Sequence, residues 1–501
     1  MAEAFGGAIE DVRTLIIGAG MGGIGVALEL TRRGEDDFIV IDRGPKAGGV
    51  WRDNQYPTAA TDTPIELYAF AESLGSKWST NYAPWNEILE YLDGLIDDSG
   101  LESHIQFETV VDALVWDPEA GHWHVSATNG QRWRARFVVW AGGLLSRPSI
   151  PKLPGLDQFE GEVLHTARWR DDVDLAGKKV LVVGGGATSI QVVPLAAESA
   201  AEVYALVRTP SYVLPKPEVF FTDEDRATFA VDHSRQTAER SRLLAGFEEL
   251  SATRFPMDGE RIKKQERAWE QYIDSVITDP RLRDVLTPKY RYGCRRPLVS
   301  NTYYQAFEQP NVTGFGGSIS EVRPTSVVTT DHGEIDVDTI IFATGFEAQD
   351  MRGDLHVDNG HGVTMKETWK ERPRAYVGTL VAGFPNLFII NGPNTGGPVV
   401  TDVISSQSRF LANCMEWAGP DGTVEVDPDV FEEFNRDVDA RAETSVLVQG
   451  GCTSWYRAGG DGGVFSHWPG SLSSLISTID GAPREHLIIT SQATYSDASL
   501  V

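Results

Sequence analysis

Two stretches of the chain share one plan, and that repeat restricts the fold more than any other feature. Residues 13–30, RTLIIGAGMGGIGVALEL, and residues 179–195, KVLVVGGGATSIQVVPL, each read as a short apolar strand, a glycine-rich turn and a helix. In the first, Gly18, Gly20 and Gly23 fit GxGxxG. The first glycine permits a tight turn, the second lets the backbone approach a pyrophosphate, and the third lets helix and strand pack closely. The helix N-terminus then offers free N–H groups and a positive dipole end to phosphates. In the second copy Gly184 and Gly186 match, while Ser189 stands at the third position, small enough for the packing role. The expected fold class is therefore α/β, with two Rossmann-like dinucleotide-binding domains.

The two copies differ where the next strand ends. Strand Phe38–Ile41 runs into Asp42, and strand Val203–Val207 runs into Arg208, each twenty-four residues after the first glycine of its motif. A carboxylate there binds ribose hydroxyls and repels a 2′-phosphate, whereas a guanidinium binds that phosphate with charge-assisted hydrogen bonds. The first site is thus expected to take FAD, and the second NADPH, with Thr209 beside Arg208.

At 501 residues the chain exceeds what one core usually serves. Lys plus Arg total 44 against 72 Asp plus Glu, a formal net charge of −28. So acidic a surface repels phosphate backbones and anionic lipid, which argues against nucleic acid and a stable membrane anchor as partners. Cys294, Cys414 and Cys452 are odd in number and form no CxxC pair, so neither a disulfide framework nor a dithiol redox centre is expected. The start, MAEAFGGAIED, has no basic region before an apolar one and reads as no signal peptide. A cytoplasmic protein, monomer or homodimer, is the expectation. His104, His122, His124 and the other histidines show no metal-binding spacing, so no metal is expected.

Between the two glycine motifs lies FEGEVLHTARW, in which Phe159, Gly161, His165 and Trp169 fit FxGxxxHxxxW. This is the fingerprint of the type I Baeyer–Villiger monooxygenases, within the wider flavin-containing monooxygenase superfamily, and the chain resembles that family over nearly its whole length. Residues 48–62, GGVWRDNQYPTAATD, resemble the family's GGxWxxxxYPGxxxD segment, with Gly48, Gly49, Trp51, Tyr56, Pro57 and Asp62 matching and Thr58 in place of the usual Gly. Tyr290–Tyr304 resembles its Cys-Lys-Arg-Pro segment, with Arg295 at the Lys position and Arg296 at the catalytic Arg. Ala141-Gly142-Gly143 and Ala343-Thr344-Gly345 are similar to its Ala-Thr-Gly crossings between domains.

The crossings imply an insertion. Residues 1–151 and 336–501 would form the FAD-binding domain. Residues 152–335 would form the NADPH-binding domain, with a helical subdomain at about 222–285. Residues 101–140 read as strands of a small antiparallel layer, and the proline-rich run 147–155 as a stiff connector. Near the end, Trp455, Tyr456, Trp468 and Pro469 would border a substrate cavity.

The resemblance implies an NADPH- and O2-dependent FAD monooxygenase that inserts oxygen next to a ketone carbonyl, through a peroxyflavin, to give an ester or lactone. Arg296 would stabilise developing negative charge and Asp62 would orient it. Gly49, Trp51, Tyr56, Asp62 and Thr344 would bear on cofactor binding, Arg295 would join Arg208 on the 2′-phosphate, and His165 would couple the domains. Two other readings stay open. Asp62-Thr63-Pro64 is similar to the Asn-Thr-Pro of N- and S-oxygenating flavin monooxygenases, and a pyridine-nucleotide oxidoreductase without oxygen insertion is the second.

Overall fold

A computed structural model describes residues 9–490, with 352 and 398 excepted; the N-terminal segment Met1–Ala8, read above for a leader, lies outside them. The chain opens with β1 (Glu10–Ile17), the glycine turn, α1 (Met21–Arg32) and β2 (Phe38–Ile41). β1 and β2 pair in parallel, and Leu15 and Ile16 are fully buried on opposite faces, Ile16 in a core shared with Ile24 and Ala27 of α1 and Leu15 in one shared with Leu114, Trp123 and Phe384. β3 (Ile105–Gln106), β4 (Val111–Asp117), β5 (His122–Ala127) and β6 (Arg132–Trp140) follow.

The expected antiparallel layer exists, but it is not a separate sheet. β6 pairs in parallel with β1 along its length, while its first half pairs antiparallel with β5. One nine-residue strand thus serves the parallel sheet and the hairpin together, and the result is a single eight-stranded sheet. The length of β6 is the reason, since its two halves can take different neighbours on one edge.

The second sheet is parallel throughout. It is built from β7 (Glu162–His165), β8 (Lys179–Val183), β9 (Glu202–Leu206), β10 (Val312–Phe315) and β11 (Thr339–Phe342), in the order β10-β9-β8-β11-β7. α2 (Ala187–Ser199) follows the second glycine turn. The chain's return to the first sheet therefore comes after Phe342, later than the boundary at 336 expected from sequence, because β11 fills the slot between β8 and β7. β12 (His356–Asp358) and β13 (Leu387–Ile389) then rejoin the first sheet, β13 pairing with the second half of β6.

The segment 222–285 is helical: Asp223–Phe229, Ser234–Arg254, Gly259–Val276 and Pro280–Val285. Its two long helices face different domains. On the first, the buried Arg240 donates to the Glu66 carbonyl and pairs with Asp402, both in the first domain. On the second, Trp269 is buried and donates from Nε1 to Tyr304 Oη at 3.0 Å, in the second domain. This subdomain straddles the two nucleotide-binding units.

One expectation fails outright: Cys294 and Cys452 form a disulfide. They lie 158 residues apart, with Cα atoms at 6.1 Å, because the CRRP segment and the C-terminal loop fold against each other. Sequence spacing carries no sign of such a long-range pairing. Cys414 is free and buried.

Candidate active site

Both glycine turns press against the segments that connect the domains. A Cβ on Gly18 (φ +108°) would lie 2.7 Å from the Ala141 carbonyl oxygen, and one on Gly184 would lie 2.4 Å from that of Ala343. Gly20 and Gly49 face each other so closely that a Cβ on Gly49 would come within 3.0 Å of the Gly20 Cα. The result is bare backbone at the end of β1, a surface that a pyrophosphate can approach.

The third position of each motif follows a different solution. A Cβ on Gly23 would sit 1.8 Å from the Gly18 oxygen, so the first turn tolerates no side chain there. In the second turn the buried Ser189 donates from Oγ to the Gly184 carbonyl at 2.8 Å, turning a close approach into a hydrogen bond.

Asp42 is buried and accepts from Ala19 N and Gly44 N at 2.7 Å each and from Arg52 at 2.6 Å. It thus locks the glycine turn as well as standing where ribose hydroxyls would come. Arg52, also paired with Asp53, is a member of this site that sequence reasoning passed over; its one signal was a cation inside the GGVWRD run. Arg208 stands at the end of β9, exposed and with no partner among the described residues. Beside it, Ser211 Oγ donates to Gly185 O at 2.7 Å and Tyr290 Oη to Pro210 O at 2.9 Å. The Arg295 guanidinium lies over the Tyr290 ring at 5.6 Å while bonding the Thr453 carbonyl, which places it near the same turn. Thr209 lies against Gly185, whose Cβ would meet the Thr209 oxygen at 2.6 Å; Gly186 has open space around it.

The fingerprint surrounds the crossings. Ser149 N donates to Gly345 O at 2.8 Å and Glu347 N to Arg147 O at 2.9 Å, so the outgoing and returning strands are tied together. Gly345 O also faces His165 Nε2 at 3.0 Å, while His165 Nδ1 accepts from Ala167 N at 3.1 Å. These partners require a neutral ring with its proton on Nε2, and burial lowers its pKa in agreement. Thr344 Oγ1 donates to the Ser149 carbonyl, a further tie between the two crossings. Gly161 has no room for a side chain, since a Cβ would meet the Asp338 oxygen at 2.4 Å. Phe159 and Trp169 pack against the two cores of the second domain.

The segment 48–68 carries the other cluster. Tyr56 donates to Gln191 Oε1 on α2 at 2.6 Å, and Gln191 Nε2 reaches back to Ala60 O at 3.1 Å, clipping the first domain to the second. Trp51 Nε1 donates to Tyr68 Oη at 2.8 Å. Asp62, a few residues on, meets Arg296 with 2.9 Å between Oδ2 and Nη2. The Arg296 side chain is half exposed, and the Asp62 charge raises its pKa above the ordinary arginine value. The Arg296 backbone N–H donates to Tyr456 Oη at 3.2 Å, and the disulfide at Cys294 pins the same segment to the C-terminal loop.

Two further groups were not legible as site residues. Arg254, at the end of the first long helix of the subdomain, is half-buried and donates to Gly293 O at 2.9 Å, two residues before Arg295. His467 lies against Tyr456 with the rings tilted by 47° and their centroids at 3.9 Å, and bonds Ser466 Oγ through Nδ1 at 2.8 Å. Burial, with the charges of Arg254 and Arg296, pushes its pKa down to about 3. Asp62, Arg296, Tyr456, His467 and Arg254 thus form one cluster, drawn from both domains, the helical subdomain and the C-terminal loop. Its two guanidiniums against one carboxylate suit a reaction that develops negative charge.

A family model described as "Pyridine nucleotide-disulphide oxidoreductase" matches residues 15–218. The chain is 37% identical to a Baeyer-Villiger monooxygenase of Streptomyces coelicolor, over 93% of this chain and 90% of that one. It is 34% identical to one of Pseudomonas aeruginosa, over 98% and 94%. The crystal structure of cyclohexanone monooxygenase from Rhodococcus sp. Phi1 bound to NADP+ superposes with a TM-score of 0.87 at 28% identity, covering 97% of this chain and all of that one. With two nucleotide-binding units, a braced double crossing and near full-length likeness at that identity, the chain belongs to the Baeyer–Villiger monooxygenase family.

Proposed function

We propose that the protein is an NADPH- and O2-dependent FAD monooxygenase that inserts one oxygen atom beside a ketone carbonyl, giving an ester or lactone. Arg296 and Asp62 are its catalytic pair, and the contact between them carries this reading. The residues fit the cofactors: bare backbone at Gly18, Gly20 and Gly49 suits the FAD pyrophosphate, and the unpaired Arg208 suits a 2′-phosphate. Bound FAD, reduced by NADPH, supplies the activated oxygen. We keep the two-domain division, with its second boundary moved past Phe342, and place the enzyme in the cytoplasm. Among the described residues no helix is long and apolar enough to cross a membrane.

The chain's own residues then have distinct tasks. Arg296 presents a permanent cation to the carbonyl oxygen, on which negative charge develops as the new C–O bond forms. A preorganised cation aimed at that oxygen lowers the cost of the developing charge. Asp62 fixes the guanidinium's direction through the 2.9 Å contact. Tyr456 anchors the Arg296 backbone. His467, held neutral, adds no acidic proton that would quench the activated oxygen. His165 braces the returning crossing at Gly345 and would steady the joint between the domains when both nucleotides are bound.

The test is oxygen uptake and NADPH oxidation with a panel of linear and cyclic ketones, followed by mass analysis. Ketone-stimulated NADPH oxidation with a product one oxygen heavier is expected. Sulfoxides or N-oxides with no ester from any ketone would move the protein to heteroatom oxygenation.

A further inference from the structure

Away from the cleft, three potential metal ligands converge on the turn between β4 and β5. Asp117 ends β4, and His122 begins β5 directly opposite it in register. His124, two residues on, points to the same face because side chains alternate along a strand. Their ligating atoms all lie within 4.8 Å of one another. His124 Nε2 stands 3.5 Å from Asp117 Oδ2, and the two imidazole centroids are 4.7 Å apart. Between them Trp123 faces the other way, fully buried in the core.

The carboxylate is already oriented. Asp117 Oδ1 accepts from Glu119 N at 3.0 Å and Ala120 N at 2.9 Å, which leaves Oδ2 turned toward the histidines. His122 Nε2 is buried without a hydrogen-bond partner among the described residues. With its proton on Nδ1, the ring turns a free Nε2 lone pair to a ligand. The neighbouring charges on this face, Arg134 and Asp11, bond each other through two contacts at 2.7 and 2.6 Å, so Arg134 brings little net charge against a cation.

We propose that Asp117, His122 and His124 form a binding site for one divalent d-block cation of the zinc class, completed by water. Two imidazoles and a carboxylate suit such an ion and offer too few oxygens for Ca²⁺ or Mg²⁺. The bound ion would staple β4 to β5 at the hairpin end, a structural role apart from the cleft. The sequence hid the site because its third ligand arrives through hairpin register, not through spacing along the chain.

FAD-loaded enzyme, dialysed against chelator, is titrated with ZnCl2 by calorimetry, with elemental analysis after dialysis. One Zn²⁺ per chain is expected, together with an upward thermal shift, and neither from CaCl2 or MgCl2. The double variant His122→Gln/His124→Gln should lose that equivalent, and Asp117→Asn should bind at least tenfold more weakly. Should the double variant release its FAD, the single variant His124→Gln, at an exposed position, decides alone by the same tenfold criterion. Unchanged Zn²⁺ stoichiometry and affinity in the variants, or no binding by the parent, would overturn the site.

Discussion

Nη2 of Arg296 stands 2.9 Å from Oδ2 of Asp62, and the two residues come from different nucleotide-binding domains. The contact therefore exists only when the domains are docked, so it reports on assembly as well as chemistry. Removing the guanidinium should spare hydride transfer and cripple oxygen insertion. Arg296→Ala is expected to retain flavin reduction by NADPH while ester formation falls by about 10²–10³. NADPH would then be consumed with release of hydrogen peroxide. Arg296→Lys should recover little, because an ammonium on a flexible stem cannot reproduce the fork that meets Asp62. Rapid-mixing spectroscopy with product analysis measures both; a normal ester yield from the Ala variant removes Arg296 from the mechanism.

Arg208 stands unpaired among the described residues beside the second glycine turn. Loss of one charge-assisted phosphate contact costs roughly 1.5–3 kcal/mol. Arg208→Ala should thus raise KM for NADPH by about tenfold to a hundredfold, with KM for NADH nearly unchanged. Steady-state kinetics with both nucleotides decides, and a parent enzyme that prefers NADH refutes the assignment.

His165 contacts the returning crossing at Gly345 and not the glycine turns, so His165→Ala should slow turnover while FAD stays bound. Recovery by His165→Gln, whose amide can still donate to Gly345 O, is the outcome that separates bracing from proton transfer. Flavin loss on gel filtration would instead mark His165 as a support of the FAD domain.

His467 makes stability depend on acid. Unfolded, its ring titrates near 6.5; folded, burial and two guanidiniums hold it at about 3. Between those values the unfolded chain binds the extra proton, so stability is full above about pH 6.5 and declines as pH falls. From pH 6.5 to 5 the loss from this group is up to about 2 kcal/mol. Denaturant unfolding of His467→Gln should show a shallower decline over that window; an identical pH profile would contradict it.

The Cys294–Cys452 disulfide predicts a thiol count. Denatured without reductant, the chain should expose one thiol, Cys414, and after reduction three. Reduction, or Cys294→Ser, should lower stability by about 2–4 kcal/mol and loosen the Arg295–Arg296 segment, visible as a lower ester-to-peroxide ratio.

The α/β class and the choice of cofactors were legible in the residues alone. A nucleotide turn is local: Gly18, Gly20 and Gly23 meet their constraints within one strand–turn–helix unit, and Asp42 and Arg208 declare opposite charges at equivalent places. Family membership was likewise readable from the fingerprint around His165. What depended on distant segments meeting was not. The ion pair of Arg296 with Asp62 was expected only through resemblance, and its geometry needed both domains in place. The disulfide, the arrival of Arg254 and His467 beside Arg296, the sharing of β6 between two pairing partners, and the facing of Asp117 with His122 all arise from register and docking. Those depend on which apolar faces bury together across hundreds of residues, a choice that spacing along the chain does not encode.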